Sequence, residues 1–488
     1  MRKILLSFLL ALILSGCMMG PDYRRPTVET PASWRFEEKE ARDIGNAAWW
    51  EQFNDSVLNA LIQTALKENK DIMIATARVE EFVGRYAITR ASLFPQADAG
   101  AAVGRSRATD NSSTPLTPAT INPADNYSAS LNASWEIDLW GKLRRAKEAS
   151  RADLLSQEEG RRGVILTLVT SVASAYVNLL NLDKQLEIAR RTAQSRKESY
   201  DLFQLRFRAG VISELELSQV KSNYEQALAI IPSLEKAIAQ QENALSILLG
   251  RNPGPVPRGK KIDDLVLPAV PAGLPSELLA KRPDIRQAEQ TLIAANARIG
   301  VARSLYFPTI SLTGTYGFAS TDLSTLFQGP SRAWSWNVPL NVPIFTAGAI
   351  AGQVEAAEAI QRQALVQYQQ SIQTAFREVE DSLIDQRRSR EVLEMQTRQV
   401  ESLRTYARFA RLRFENGYTS YIEVLDAERS LFDAELARAQ TTGVLFQALV
   451  NLYKAMGGGW VMDADNKIAL DHDKKDTSNL NRETGVMH

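Results

Sequence analysis

The chain has 488 residues and is formally neutral, with 57 lysines and arginines against 57 aspartates and glutamates. Nothing in that balance suggests a nucleic-acid partner or a polybasic membrane patch, so no nucleic-acid partner is expected. With only two histidines and no Gly-rich phosphate loop, nucleophile elbow or paired metal-ligand motif, the sequence presents no catalytic residues, no metal site and no cofactor requirement, and an enzyme is not expected.

The chain opens on Met1-Arg2-Lys3, a basic start, followed by an apolar run from Ile4 to Leu14. At about 11 residues the run is too short to span a bilayer, which needs about 20, and residues 1–16 have the form of a bacterial secretory signal peptide. Leu14-Ser15-Gly16 leads into Cys17, the only cysteine, in an arrangement that resembles the lipobox at which bacterial lipoproteins are cleaved and acylated. Cys17 then becomes the first mature residue, and acyl chains on it anchor the protein in lipid at about 0.8 kcal/mol per buried methylene. Met18 stands where an aspartate tends to retain enterobacterial lipoproteins at the inner membrane, so the expected location is the outer membrane, with the chain extending into the periplasm.

Residues 17–54 form a lipidated N-terminal segment on this reading. From about Asp55 to Leu93 the pattern is helical, and the Pro95 that follows Phe94 ends it, because proline disfavours a helical residue before it. The period then drops to two. Gln96 to Arg105 is rich in Ala and Gly and alternates weakly; Tyr127, Ala129, Leu131, Ala133, Trp135, Ile137 and Leu139 alternate with Ser128, Ser130, Asn132, Ser134, Glu136 and Asp138. In the second half Ile310, Leu312, Tyr316 and Phe318 alternate with Thr309, Ser311, Thr313 and Thr315, and Trp334, Trp336, Val338 and Leu340 with Ser335 and Asn337. The face opposite the apolar one is small and hydroxylated, which suits a water-filled lumen; a soluble half-buried strand is the competing reading. Trp135, Trp140, Trp334 and Trp336 are candidates for aromatic positions at the membrane interface. Two strands in each half cannot close a barrel, so a transmembrane β-barrel has to be shared between copies under cyclic symmetry.

Lys142 to Arg208 contains no proline and only Gly160 and Gly163, and at about 1.5 Å per residue it predicts a helix of about 100 Å, long enough to cross the periplasm. Ile165, Val169, Val172, Tyr176 and Leu179 recur at spacings of three and four, as do Leu234, Ile238, Leu245 and Leu248 on the return helix and Leu445, Leu449, Leu452 and Met456 in the second half. These are coiled-coil packing seams.

The chain also repeats itself. Asp71-Ile72 and Phe94-Pro95 recur 213 positions later as Asp284-Ile285 and Phe307-Pro308. Leu205-Arg206-Phe207-Arg208-Ala209-Gly210 recurs 207 positions later as Leu412-Arg413-Phe414-Glu415-Asn416-Gly417, and Leu249-Gly250 meets Met456-Gly457. The organisation read from this is a first repeat over 55–250 (helix, two strands, long helical hairpin), a linker over 251–274, a second repeat over 275–460 with the same plan, and a polar, disordered tail over 461–488. His472 and His488 lie in that tail, where Asp471-His472-Asp473 is a weak metal motif outweighed by a solvated, disordered reading. The expected fold class is α+β: a long coiled-coil helical barrel with a transmembrane antiparallel β-barrel shared between three protomers, two structural repeats per chain.

Ala48-Trp49-Trp50-Glu51-Gln52-Phe53-Asn54-Asp55, continuing through Leu58, Leu61, Ala65-Leu66 and Asn69 to Asp71-Ile72, resembles the opening helix of the TolC-like outer-membrane factors, in particular their lipoprotein branch. Asp284, the two Phe-Pro pairs, and Gly417 through Asp426-Ala427-Glu428-Arg429-Ser430-Leu431 resemble the rest of that pattern, over nearly all of residues 17–460. The resemblance implies a homotrimer in which each protomer lends four strands to a twelve-stranded barrel and its long helices to a tunnel. It also implies a periplasmic adaptor and a proton-driven inner-membrane efflux pump as partners, the channel itself adding no energy. Two helix reversals, Arg206 to Leu217 and Arg413 to Val424, would form the periplasmic tip. By resemblance Arg206, Phe207, Gly210, Arg413, Phe414 and Gly417 lie where adaptor hairpins dock, with plain turn chemistry as the equal alternative. Glu423 and Asp426 lie three apart on one helix, and the resemblance makes them aperture residues that three-fold symmetry turns into carboxylate rings; solvation of a helix face is the alternative. Thr419 stands where the founding member of the family has a latching arginine, so that latch does not carry over.

A lipid-anchored periplasmic coiled-coil scaffold or adaptor is the reading from another class. It shares the lipobox and the long helices but needs neither strands with a polar face nor two matching halves.

Overall fold

The computed structural model describes residues 18–36, 48–109, 121–268, 275–457, 459–462 and 464–466; residues 1–16, expected to be a signal peptide, and Cys17, His472 and His488 lie outside the described residues. The helices are α1 (Ser56–Glu68), α2 (Lys70–Ala91), α3 (Lys142–Arg208), α4 (Glu214–Leu248), α5 (Pro275–Lys281), α6 (Pro283–Ser304), α7 (Ala349–Glu415) and α8 (Tyr421–Ala455). The strands are β1 (Gln96–Ser106), β2 (Ala124–Glu136), β3 (Thr309–Ser320), β4 (Arg332–Asn337) and the two-residue β5 (Leu340–Asn341). These fall into two compact units, one holding the described residues up to Thr27 with Arg78–Gln157 and Ala288–Tyr368, the other holding Val28–Ala77, Glu158–Gln287 and the residues from Gln369 onward.

In the first unit β1, β2, β3 and β4 pair antiparallel in that order, with β5 on β3. The register sorts the sheet into two faces, because directly paired residues point the same way. Ala99, Leu131, Tyr316 and Trp334 share one face; Asp98, Asn132, Thr315 and Ser335 share the other. On the polar face Asn132 Nδ2 donates to Asp98 at 2.9 Å and Thr315 Oγ1 donates to Asn132 Oδ1 at 3.0 Å, a cross-strand ladder. On the apolar face Trp334 and Trp336 are 68% and 65% exposed, so that part of the face is uncovered among the described residues.

Two strand ends differ from the sequence expectation. β2 stops at Glu136, short of Ile137 and Leu139, because Asp138 turns to accept the backbone N–H groups of Leu143 and Arg144 at the start of α3. β4 stops at Asn337 because Pro339 has no N–H to give the ladder, although its carbonyl still accepts from Ser311 at 3.2 Å before β5 resumes. Ahead of the sheet in sequence, the first described residues are clamped. Met19 N donates to the Trp140 carbonyl at 3.0 Å, and the buried Arg145 bonds Met19 O and Asp22 at 3.1 and 2.7 Å. A Cβ on Gly20 would lie 2.4 Å from Gly300 Cα, so this crossing has no room for a side chain.

The second unit is helical around one large core. Trp49, Trp50 and Phe53, the buried residues of α1, and Ile165, Val169, Val172, Tyr176 and Leu179 of α3 pack with Leu245, Phe446, Val450 and Trp460. Trp49 stacks on Tyr453 at 4.9 Å and Trp50 meets Trp460 edge to face at 4.7 Å. Trp34 packs in a second cluster among Leu278, Val379 and Leu449, so described residues ahead of α1 belong to the helical cores. Among the described residues α3 alone carries a stretch long and apolar enough to cross a membrane, and that stretch is mostly buried, against this core.

The helix expected over 55–93 is two helices. Asn69 is extended between them; its Oδ1 accepts from Asp71 and Ile72 at 2.8 and 3.2 Å, and its Nδ2 donates to the Leu248 carbonyl at 2.9 Å. Arg282, 213 positions on, divides α5 from α6 and donates to the Ala455 carbonyl at 3.0 Å, and Ala455 lies 207 positions after Leu248. The duplication thus extends to the clamp that caps each return helix. The order opening helices, strands, long helix, return helix recurs in both halves, with the second strand of the second half split into β4 and the two-residue β5, and α3 and α7 have 67 residues each. The ordered body runs past 460, correcting the tail boundary: residues 460–462 and 464–466 are helical, and the buried Asp465 pairs with Arg161 and Arg162 at 2.8 and 3.2 Å. Beside it burial pushes the Glu159 carboxyl up against the pull of Arg162 and Arg286.

Asp55 joins these parts. Its buried carboxylate caps α1 through Val57 N at 2.8 Å and accepts from Tyr176 Oη at 2.9 Å and Lys260 N at 3.0 Å, while Tyr176 Oη accepts from Gly259 N at 2.8 Å. Asp55→Ala is expected to destabilise the protein by about 3 kcal/mol and Tyr176→Phe by about 1 kcal/mol, because the first strands several buried donors and the second only one. Urea unfolding in detergent, followed by circular dichroism, checks the order of the two.

Candidate functional site

The two helix reversals are built alike. α3 ends at Arg208, Gly210 turns the chain at φ +70°, Gly210 N donates to Phe207 O at 2.9 Å and Val211 N to Arg206 O at 2.9 Å. α7 ends at Glu415, Gly417 has φ +78°, Gly417 N donates to Phe414 O at 2.9 Å and Tyr418 N to Arg413 O at 2.8 Å. Both are Schellman caps, so the repeated Arg-Phe-x-x-Gly uses Arg and Phe for their carbonyls and Gly for its left-handed backbone. The following helix starts differ. Ser213 and Glu216 cap α4 reciprocally, whereas at α8 Ser420 makes no side-chain cap and Thr419 Oγ1 donates instead to Glu423.

The side chains of the repeated motif divide. Arg206 lies 5.7 Å from the ring of Phe203 and 5.6 Å from that of Phe414, joining the two reversals by cation–π contact. Phe203 and Phe414 also pack on Tyr421 at 4.2 and 4.9 Å, in a cluster with Val220, Val424 and Ala427. Burial pushes the Tyr421 hydroxyl pKa up. Phe207 is exposed instead, along with Val211, Leu215 and Tyr418, so the reversals carry an open apolar surface.

Glu423 and Asp426 sit in different surroundings although both lie on α8. Glu423 is held by Arg413 at 3.1 Å and by Thr419, with its side chain 26% exposed. Asp426 pairs with Arg429, one turn on, at 2.8 Å and stays 53% exposed. The spacing of Asp426 and Arg429 was legible in the sequence; the Arg413–Glu423 pair across the reversal was not, nor was the role of Tyr421 as the aromatic centre between the hairpins.

The tryptophans also divide. Trp334 and Trp336 stand on the exposed apolar face of β4. Trp135 is next to last in β2 and donates its indole N–H to Leu93 O at 3.1 Å. Trp140 lies beyond the strand, half-buried, stacked on Phe307 at 4.8 Å and bonded to Pro308 O at 2.8 Å. It therefore belongs to the junction below β2 and β3 and not to the open face. Cys17 falls outside the described residues, one position before the clamped segment.

A sheet that is apolar on one face and wet on the other, carried with long helical hairpins that reverse through glycine caps, defines a class: the outer-membrane channel subunit. The chain belongs to the outer membrane efflux protein family, whose model matches residues 61–251 and 274–458. It is 36% identical over 463 residues to the cation efflux system protein CusC of Escherichia coli O6:H1 strain CFT073, covering 93% of this chain and 98% of that one. It is 36% identical over 469 residues to the toluene efflux pump outer membrane protein TtgC of Pseudomonas putida, covering 94% and 96%. The solved structure of the Campylobacter jejuni CmeC outer membrane channel superposes with a TM-score of 0.85 at 27% identity, over 93% of this chain and 98% of that one.

Gly210→Ala and Gly417→Ala are each expected to cost about 1–2 kcal/mol locally, since an L side chain at positive φ is strained. Limited proteolysis should then cleave first at the altered reversal and leave the other at the wild-type rate.

Proposed function

We propose that this efflux channel works as a homotrimeric, passive exit duct, anchored in outer-membrane lipid through acyl chains on Cys17. The carrying observation is the two-faced sheet: an apolar face open to the outside, an Asp98–Asn132–Thr315 ladder on the other, and β1 and β4 each paired on one side only among the described residues. Three such sheets joined edge to edge would make a twelve-stranded barrel with a wet lumen and no free edge. The scaffold alternative has no use for that arrangement.

On this reading a periplasmic adaptor docks on the exposed apolar surface of the reversals, with Phe207 as the contact within the repeated motif and Arg206, Gly210, Arg413, Phe414 and Gly417 shaping it. An inner-membrane pump, proton-driven, supplies energy and selects cargo. Two relatives equally similar to this chain, at 36% identity, are named for a cation and for toluene, which supports a duct indifferent to what the pump delivers. Asp426 is the aperture residue: its exposed carboxylate, repeated three times around the axis, attracts cations and sets a narrow opening, while Glu423 stays engaged with Arg413.

The protein extracted in mild detergent is expected to be a trimer that forms long-lived small pores in planar bilayers with no ATP or other energy source. Asp426→Ala should raise single-channel conductance and lower the preference for cations. A soluble, non-conducting species after lipid removal would overturn the duct, and an unchanged conductance in the variant would remove Asp426 from the aperture.

A further inference from the structure

One cavity in the helical unit has a chemistry that a passive duct does not call for. It has a volume of about 470 Å³ and is lined by Arg191 and Arg196 of α3, Arg404, Arg408 and Arg411 of α7, and Glu428 and Glu435 of α8. Five guanidinium groups face two carboxylates, in a chain whose overall charge is zero. Both carboxylates are already engaged: Glu435 with Arg191 and, at 2.7 Å, with Arg404; Glu428 with Arg411. Arg408 rests 4.9 Å from the Phe409 ring and makes no ion pair among the described residues.

Arg196 is the unusual member. It is 3% exposed, its Nη1 donates to the Asn223 carbonyl at 2.7 Å, and its guanidinium carbon lies 5.1 Å from the centre of the Phe432 ring. These contacts fix the plane of the group. Its Nη2 is buried and has no hydrogen-bond partner among the described residues. Burial pulls the Arg196 pKa down, yet a guanidinium stays protonated at any physiological pH, so a charged donor is left buried with no acceptor among the described residues. Such a group is costly to bury unless an anion completes it.

We propose that this cavity is a binding site for a small oxyanion of the phosphate or sulfate class, with Arg196 Nη2 as the innermost donor and Arg408 as the outer one. The planar fork of a guanidinium matches the paired oxygens of such an anion, which a spherical halide cannot offer. The bound anion would tie α3, from the first repeat, to α7 and α8 of the second, so occupancy reads out as stability. The site stands independently of the duct and its aperture.

The test uses the full-length protein in detergent and inorganic phosphate as the probe, with sodium chloride at equal ionic strength as the control. Thermal unfolding should show saturable protection by phosphate and not by chloride, and phosphorus NMR line broadening should titrate with the same midpoint. Arg196→Gln is expected to weaken phosphate binding by about tenfold or more, the loss of one charge-assisted hydrogen bond. Arg408→Gln, at an exposed position that carries no part of the core, should also weaken it and guards against Arg196→Gln failing to fold. Equal protection by chloride, a non-saturating response, or unchanged affinity in Arg408→Gln would overturn the proposal. So would a glutamate-rich peptide that binds where phosphate does not, since it would assign the cavity to an acidic partner segment.

Discussion

An edge strand carries a row of backbone N–H and C=O groups that hydrocarbon cannot satisfy, at several kcal/mol each, and the sheet of this protein has two such edges. The rest of the architecture follows from that constraint. On the apolar face Leu131, Tyr316, Trp334 and Trp336 stand exposed, while on the polar face Asp98, Asn132 and Thr315 bond to one another. A soluble sandwich would have supplied a second sheet for the apolar face; among the described residues there is one sheet, and the other long elements are helices. β1 is narrow and small on that face, with Ala97, Ala99 and Ala101, which leaves a neighbouring strand free to approach.

The same demand for backbone partners explains the most specific features of the helical part. Each half interrupts its opening helix once, and the interrupting residue caps the end of the return helix: Asn69 takes the Leu248 carbonyl and Arg282 the Ala455 carbonyl. The chemistry of the cap has diverged between the halves while the place it serves has not. The reversals follow suit, with identical glycine geometry and different helix starts. The first uses a self-contained Ser213–Glu216 box; the second releases Glu423 to pair with Arg413 and Thr419. Polar side chains at helix ends are thus one place where the duplicated halves have diverged.

Local rules in the sequence were reliable where one force dominates. Alternation located β2 and β3, because each face sees a single environment, and the three-and-four spacing of Ile165, Val169, Val172, Tyr176 and Leu179 named residues that are all fully buried. They failed where two elements compete for one residue. Asp138 continues the alternation of β2 but caps α3, and Asn69 sits inside a helical pattern but serves two helix ends. α4 runs through Pro232 despite its missing N–H, because Ile230, Ile231 and Leu234 are held against Ile188 and Phe432. Of the candidate site residues, the glycines were legible from their repetition, whereas the division of labour between exposed Phe207 and packed Phe414 was not, since identical motifs meet different neighbours.

By itself the sequence determined the order of elements, their duplication, the two characters of the strands and the left-handed turns at Gly210 and Gly417, because each depends on residues close along the chain. Tertiary structure alone decided which charges meet. Arg413 reaches Glu423 across the reversal, Asp465 is drawn into the body of the fold by Arg161 and Arg162, and Arg196 is buried with a donor to spare. The physical reason is that these contacts are defined by distances of a few ångströms between side chains on different elements, from ten residues apart for Arg413 and Glu423 to 303 for Arg162 and Asp465. No local periodicity encodes those distances.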